Sequence, residues 1–138
     1  MHPPDFYSTA MWNKCMSTLL SNRPKILVVE DECLIAEELR VCLLEAGADV
    51  VGPVGVLEDA LHLAGSEQDI ACALVDIGLE GGMTYAVAEY LDEHSIPYLF
   101  TTGYAPAAIP DRFDGIGNFQ KPIRMAALLQ GIGNLIEA

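Results

Sequence analysis

The sequence predicts a doubly wound α/β domain over residues 25–138. Three observations point to it: apolar runs alternate with helical periodicities, several runs are continuous and β-branched, and charged or hydroxyl residues gather where the runs end. Ile26-Leu27-Val28-Val29 is the first such run, continuous as a strand covered on both faces should be, and it stops at Glu30-Asp31-Glu32. Ile35, Leu39, Cys42, Leu43 and Ala46 then recur at helical spacing, with Glu37, Glu38, Arg40 and Glu45 between them, and Gly47 closes the helix. Val50-Val51 makes a short second strand. Leu57, Ala60, Leu61 and Ala64 line one face of a second helix that runs out at Gly65-Ser66. The third strand, Ile70 to Val75, delivers Asp76 to its C-terminal end.

Gly78, Gly81 and Gly82 make a loop before a helix carrying Tyr85, Ala86, Ala88, Glu89 and Leu91, which stops ahead of Pro97. Pro97 to Thr101 is the fourth strand. Between Gly103 and Gly117 the periodicity fails, and Pro106 and Pro110 leave room for at most one or two helical turns. Gly117 to Gln120 reads as a short last strand. Pro122 opens a final helix with Leu128, Leu129, Ile132, Leu135 and Ile136 facing inward. Gly131 and Gly133 weaken it by roughly 1 kcal/mol each relative to alanine.

Residues 1–24 form a separate extension. Met11, Trp12, Cys15, Met16, Leu19 and Leu20 mark one apolar helix face, ended by Asn22 and Pro24. A helix of that length is marginal alone in water, which leaves three alternatives: packing on its own domain, a partner or homodimer contact, or disorder.

A chain of 138 residues, 51% hydrophobic, suits one domain with one sizeable core. With 7 Lys+Arg against 20 Asp+Glu, the net charge of −13 repels nucleic-acid phosphates and anionic lipid surfaces, so neither is an expected partner. Cys15, Cys33, Cys42 and Cys72 form no C-x-x-C pair, and His2, His62 and His94 are scattered, so no zinc site is expected. There is no secretory signal pattern and no apolar run long enough to span a bilayer, and a cytoplasmic location is expected.

In an open parallel sheet, ligands bind beyond the carboxyl ends of the strands. Here the first strand supplies Glu30 and Asp31, the third Asp76, the fourth Thr102 and the fifth Lys121. Three carboxylates brought together repel, and a hard divalent cation with oxygen ligands relieves the repulsion; Mg²⁺ retaining some waters is the expected ion. A carboxylate in such a site can attack a phosphoryl group. Asp76 is the candidate nucleophile, Thr102 a hydroxyl donor to a phosphoryl oxygen, and Lys121 the offsetting charge.

Four segments together, I-L-V-V-E-D-E (26–32), L-V-D-I-G-L-E-G-G (74–82), F-T-T-G-Y (100–104) and Q-K-P (120–122), resemble the receiver domains of bacterial two-component response regulators. The resemblance implies a flavodoxin-like sheet of five parallel strands in the order 2-1-3-4-5, here with an extra N-terminal helix and a shortened or irregular fourth helix. It implies that Asp76 is the phosphoacceptor, Asp31 a direct Mg²⁺ ligand, and Glu30 a second acid reaching the metal through water. Gly78 would give the metal its backbone carbonyl. Thr102 matches the switch hydroxyl, and Lys121 the lysine that bonds to the phosphoryl group, followed in many receivers by a cis peptide to the proline. Such a domain assists its own phosphorylation and dephosphorylation but is no enzyme acting on an external substrate.

F-T-T-G-Y is similar to the F-x-T-G-Y subgroup, sometimes called FATGUY receivers. That likeness implies a histidine kinase of the HWE or related type as partner, with a phosphotransfer protein as a further one. It also implies action without an output domain, as a phosphate sink, shuttle or pathway regulator. Two departures stand out. The aromatic switch residue expected three positions before the lysine is replaced by Asn118, with Phe119 beside it on the opposite strand face. The proline-broken stretch 104–117 implies a reshaped, more mobile surface. Two other function classes compete: a phosphorylation-independent binding module with a vestigial pocket, and an aspartate-nucleophile phosphatase. The latter wants a second acid at position 78, which is glycine.

Overall fold

β1 (Lys25–Val29) is an interior strand of the sheet, and its last four residues are fully buried, as a β-branched run covered on both faces requires. In this computed structural model, which describes residues 20–78, 84–103 and 109–137, α1 (Cys33–Glu45), β2 (Asp49–Val54), α2 (Leu57–Ser66) and β3 (Ile70–Asp76) follow in order. Then come α3 (Thr84–Glu93), β4 (Tyr98–Thr102), a 3₁₀ turn (Asp111–Phe113), β5 (Asn118–Gln120) and α4 (Met125–Glu137). The five strands are all parallel in the order β2-β1-β3-β4-β5, as expected. The expectations that rest on Met11, Trp12, Cys15, Met16, Leu19, Gly81, Gly82, Tyr104 and Pro106 lie outside the described residues.

Strand alternation divides the core in two. Leu27, Val29, Ala73, Val75, Tyr98 and Phe100 face α2 and α3, where Ala60, Ala64, Val87, Ala88 and Leu91 cover them. Ile26, Val28, Cys72, Leu74 and Leu99 face α1 and α4, covered by Leu39, Leu43, Leu128, Leu129 and Ile132. Leu20 joins the second layer, and its N–H donates to Ala46 O at 2.9 Å, tying the start of the domain to the end of α1. No helix among the described residues is long and apolar enough to cross a membrane.

Four details differ from the sequence expectations. β2 runs to Val54 rather than ending at Val51, because Gly52 at φ +91° and Pro53 are absorbed at the sheet edge. A Cβ at Gly52 would lie 2.9 Å from Val28 O, so only glycine fits there. On α2, Leu63 rather than Leu61 packs against the core beside Leu57, Ala60 and Ala64. β4 is shifted by one residue and includes Thr102. Pro122 belongs to the turn leaving β5, and α4 begins at Met125, with Leu128 N–H donating to Arg124 O at 3.0 Å.

Gly131 has a packing role that its low helix propensity concealed. A Cβ there would stand 2.8 Å from Cζ of Phe119 and 3.7 Å from Leu99, so the missing side chain seats the Phe119 ring against α4. Between β4 and β5, among the described residues, the only helical turn is Asp111–Phe113. Phe113 is buried, stacked on Tyr85 at 5.1 Å and edge-on to Phe100 at 5.5 Å. Phe113, with Ile109 and Ile116 beside it, thus anchors the described part of this stretch to the core.

Candidate functional site

Parallel pairing brings the polar strand ends together at one edge of the sheet. Asp76 ends β3 and pairs with Thr101 of β4, which places Thr102 one residue further along the neighbouring strand. Thr102 pairs with Gln120, and its C=O accepts the Lys121 N–H at 2.7 Å. On the other side Val29 pairs with Val75, so Glu30 and Asp31 leave β1 beside Asp76. The Glu30 N–H is fixed by Val54 O at 2.8 Å. These backbone bonds set the positions of the chemical groups before the side chains make any contact.

The side chains converge on Lys121. Its ammonium lies 3.0 Å from Glu30 Oε1, 2.8 Å from Glu32 Oε1 and 3.2 Å from Asp76 Oδ1. Glu30 and Asp76 are buried, whereas Asp31 and Glu32 are exposed. Oxygens of Glu30, Asp31, Glu32 and Asp76 all come within 4.8 Å of one another. Asp76 Oδ1 also accepts the Gly78 N–H at 2.9 Å, and the Asp76 backbone carbonyl accepts the Thr84 hydroxyl at 2.7 Å. Asp76 Oδ2 is buried and accepts no hydrogen bond among the described residues.

The electrostatics follow from this crowding. Burial pushes the Glu30 carboxyl up to about 7 against the pull of the Glu32 N–H and of Lys121, and the Asp76 charge adds to the rise. Asp31 is also raised, by burial first and then by the adjacent Asp76 carboxyl. Burial alone would pull the Lys121 ammonium down, but hydrogen bonds to Glu32 and Glu30 and the charge of Asp76 carry it above its ordinary value. Four carboxylates against one lysine leave the cluster with surplus negative charge. Hard oxygen donors, an orphaned buried Oδ2 and unrelieved repulsion together suit a divalent cation with oxygen ligands.

All the sequence-derived candidates Glu30, Asp31, Asp76, Gly78, Thr102 and Lys121 lie at this end of the sheet. Gly78 appears through its N–H to Asp76, and the Lys121–Pro122 peptide is cis, as the resemblance implies. Glu32 and Thr84 were missed. Glu32 is the third acid of the E-D-E run, a position that reads as solvated surface, and Thr84 lies eight residues past Asp76 with no local signal. Asn118 occupies the expected switch position opposite Phe100, and its Oδ1 is buried with no hydrogen-bond partner among the described residues. Phe119 lies on the other face, against α4.

No family model matches the chain. Among curated proteins, the phyllosphere-induced regulator PhyR of Methylorubrum extorquens is 32% identical over 91 residues, a match covering 64% of this chain and 32% of that protein. The match thus spans about a third of the length of this curated relative. Among solved structures, the BeF3-activated conformation of SdrG from Pseudomonas melonis Fr1 is 33% identical with a TM-score of 0.72, covering 85% of this chain and 99% of that one. The PhyR response regulator REC domain of Erythrobacter litoralis, 24% identical with a TM-score of 0.72, covers 83% of this chain and 90% of that domain and supports the fold. With a parallel 2-1-3-4-5 sheet, a carboxylate cluster at its C-terminal edge and SdrG matched over nearly its whole length, the chain belongs to the response regulator receiver domains of two-component signalling.

Proposed function

We propose that this receiver accepts a phosphoryl group on Asp76 from the phosphohistidine of a histidine kinase. The observation that carries the reading is the asymmetry of the Asp76 carboxylate. Oδ1 is held by the Gly78 N–H and Lys121, while Oδ2 is buried without a hydrogen bond among the described residues. One oxygen is positioned and the other keeps its lone pairs for attack. In the transfer, an Asp76 oxygen forms the new O–P bond as the N–P bond to the donor imidazole breaks, and the imidazole nitrogen keeps the electron pair.

Mg²⁺ would be held by Asp31, Asp76 and the Gly78 carbonyl, with Glu30 through water, and would supply charge neutralisation for the carboxylates and the entering phosphoryl group. Lys121, already turned to Asp76 Oδ1 at 3.2 Å, offsets the added negative charge. The Thr102 hydroxyl donates to a phosphoryl oxygen and carries the change to the surface. The domain assists its own phosphorylation and hydrolysis and turns over no external substrate.

The F-T-T-G-Y segment supports membership of the F-x-T-G-Y subgroup and a kinase of the HWE or related type, with a phosphotransfer protein as a further exchange partner. Its proposed role is that of a phosphate sink, shuttle or pathway regulator, acting in the cytoplasm. Intact mass after treatment with acetyl phosphate and Mg²⁺ tests the reading. The wild type gains one phosphoryl group and Asp76→Asn gains none; a wild type that gains nothing favours a phosphorylation-independent binding module instead.

A further inference from the structure

Glu32 stands at the N-cap of α1, and its carboxylate makes no capping bond to the helix. It reaches instead across the sheet edge to Lys121 Nζ at 2.8 Å, the shortest of the three carboxylate contacts that lysine makes. The Lys121 side chain is only 11% exposed, while that of Glu32 is 59% exposed. The resting lysine is therefore shared between two buried acids and one exposed acid.

We infer that Glu32 is a positioning residue that holds Lys121 in the unphosphorylated domain and opposes the phosphorylated one. This rests on the reading of Asp76 as phosphoacceptor. A phosphoryl group on Asp76 replaces the single carboxylate charge with about two negative charges at pH 7 and places three acceptor oxygens beside Lys121 Nζ. At rest the Lys121 ammonium donates to Glu30 and Glu32 and lies 3.2 Å from Asp76 Oδ1. As it turns toward the phosphoryl oxygens it draws away from one of the two acids it donates to. Glu30 and Asp76 are fixed by burial and by backbone N–H donors, so the exposed Glu32 is the partner released. Once released, its carboxylate faces a new negative charge at short range. Both effects penalise the phosphorylated state, so Glu32 sets the equilibrium between the two states without touching the reacting atoms.

The test is the affinity of the full chain for beryllofluoride at saturating Mg²⁺, read by NMR titration of the Ile77 and Gly78 amides, with Mg²⁺ affinity measured separately for each variant. Glu32→Gln, which keeps the shape and removes the charge, is expected to tighten binding about two- to fivefold, the range of a partly exposed ion pair. Glu32→Asp retains the charge and should fall between it and the wild type. Glu38→Gln removes the same charge from the same helix away from Lys121 and should leave affinity unchanged. The inference is overturned if Glu32→Gln binds as the wild type does or more weakly, or if Glu38→Gln tightens binding equally. A wild type that does not respond to beryllofluoride overturns the phosphoacceptor reading and this inference with it. Unfolding curves for each variant show whether the fold is intact, and a role for Glu32 in stability alone would shift those curves and not the affinity.

Discussion

At Glu30, burial raises the carboxyl from an ordinary 4.5 to about 7, so the folded protein holds a proton between those values that the unfolded one releases. A group raised in this way contributes stability that is present below about 4.5 and is lost as the pH climbs through about 7. Asp31 is raised as well and acts in the same direction. The thermal midpoint of the metal-free domain is therefore expected to fall across that window. Mg²⁺ should flatten the fall and EDTA restore it, which calorimetry at several pH values will read. Asp76→Asn keeps an oxygen for Gly78 and Lys121 while removing one charge, and is expected to stabilise the metal-free domain at pH 7 by about 1 kcal/mol. Denaturant titration checks this. The places of Asp31, Asp76 and Lys121 were legible in the sequence because each lies within two residues of the end of a strand-forming run. Glu32 and Thr84 were not, because their partners lie far along the sequence and an exposed Glu or a lone Thr carries no local pattern.

Among the elements, Phe113 is the buried aromatic of the described stretch between β4 and β5, and Phe119 is the ring that β5 sets against α4. Phe113 is 4% exposed and touches Tyr85 and Phe100, and truncating it opens a cavity that the surrounding strands cannot close. Phe113→Ala is expected to cost about 3–5 kcal/mol in chemical unfolding. Gly131→Ala brings a methyl within 2.8 Å of the Phe119 ring. The crowding should outweigh the roughly 1 kcal/mol that alanine adds to a helix. The same substitution in a Phe119→Leu background should instead stabilise, and a double-mutant cycle separates the two terms. Sequence pattern found the five strands and four α-helices among the described residues, while the 3₁₀ turn Asp111–Phe113 lies where the periodicity fails. It erred where a tertiary contact overrode local preference: Gly52-Pro53 looked like a strand end and is an edge, and Gly131 looked like a weakness and is a seat for a ring.

Over the whole molecule, two helical layers clamp a parallel sheet whose C-terminal edge carries the acidic cluster. The strand order 2-1-3-4-5 was implied by the resemblance to receiver domains, and it sets the strands ending at Glu30 and Asp76 side by side. How the site communicates with the surface was less legible: Asn118 stands where an aromatic was expected, and Phe119 points into the opposite layer. The central claim is that Asp76 is the residue phosphorylated. Treating the acetyl-phosphate-labelled protein with borohydride reduces an aspartyl phosphate to homoserine, and peptide mass mapping then locates the converted residue. Conversion at residue 76, dependent on Mg²⁺ and absent in Asp76→Asn, is the predicted result. Conversion at another carboxylate, or none in a protein that has gained phosphoryl mass, would contradict the account.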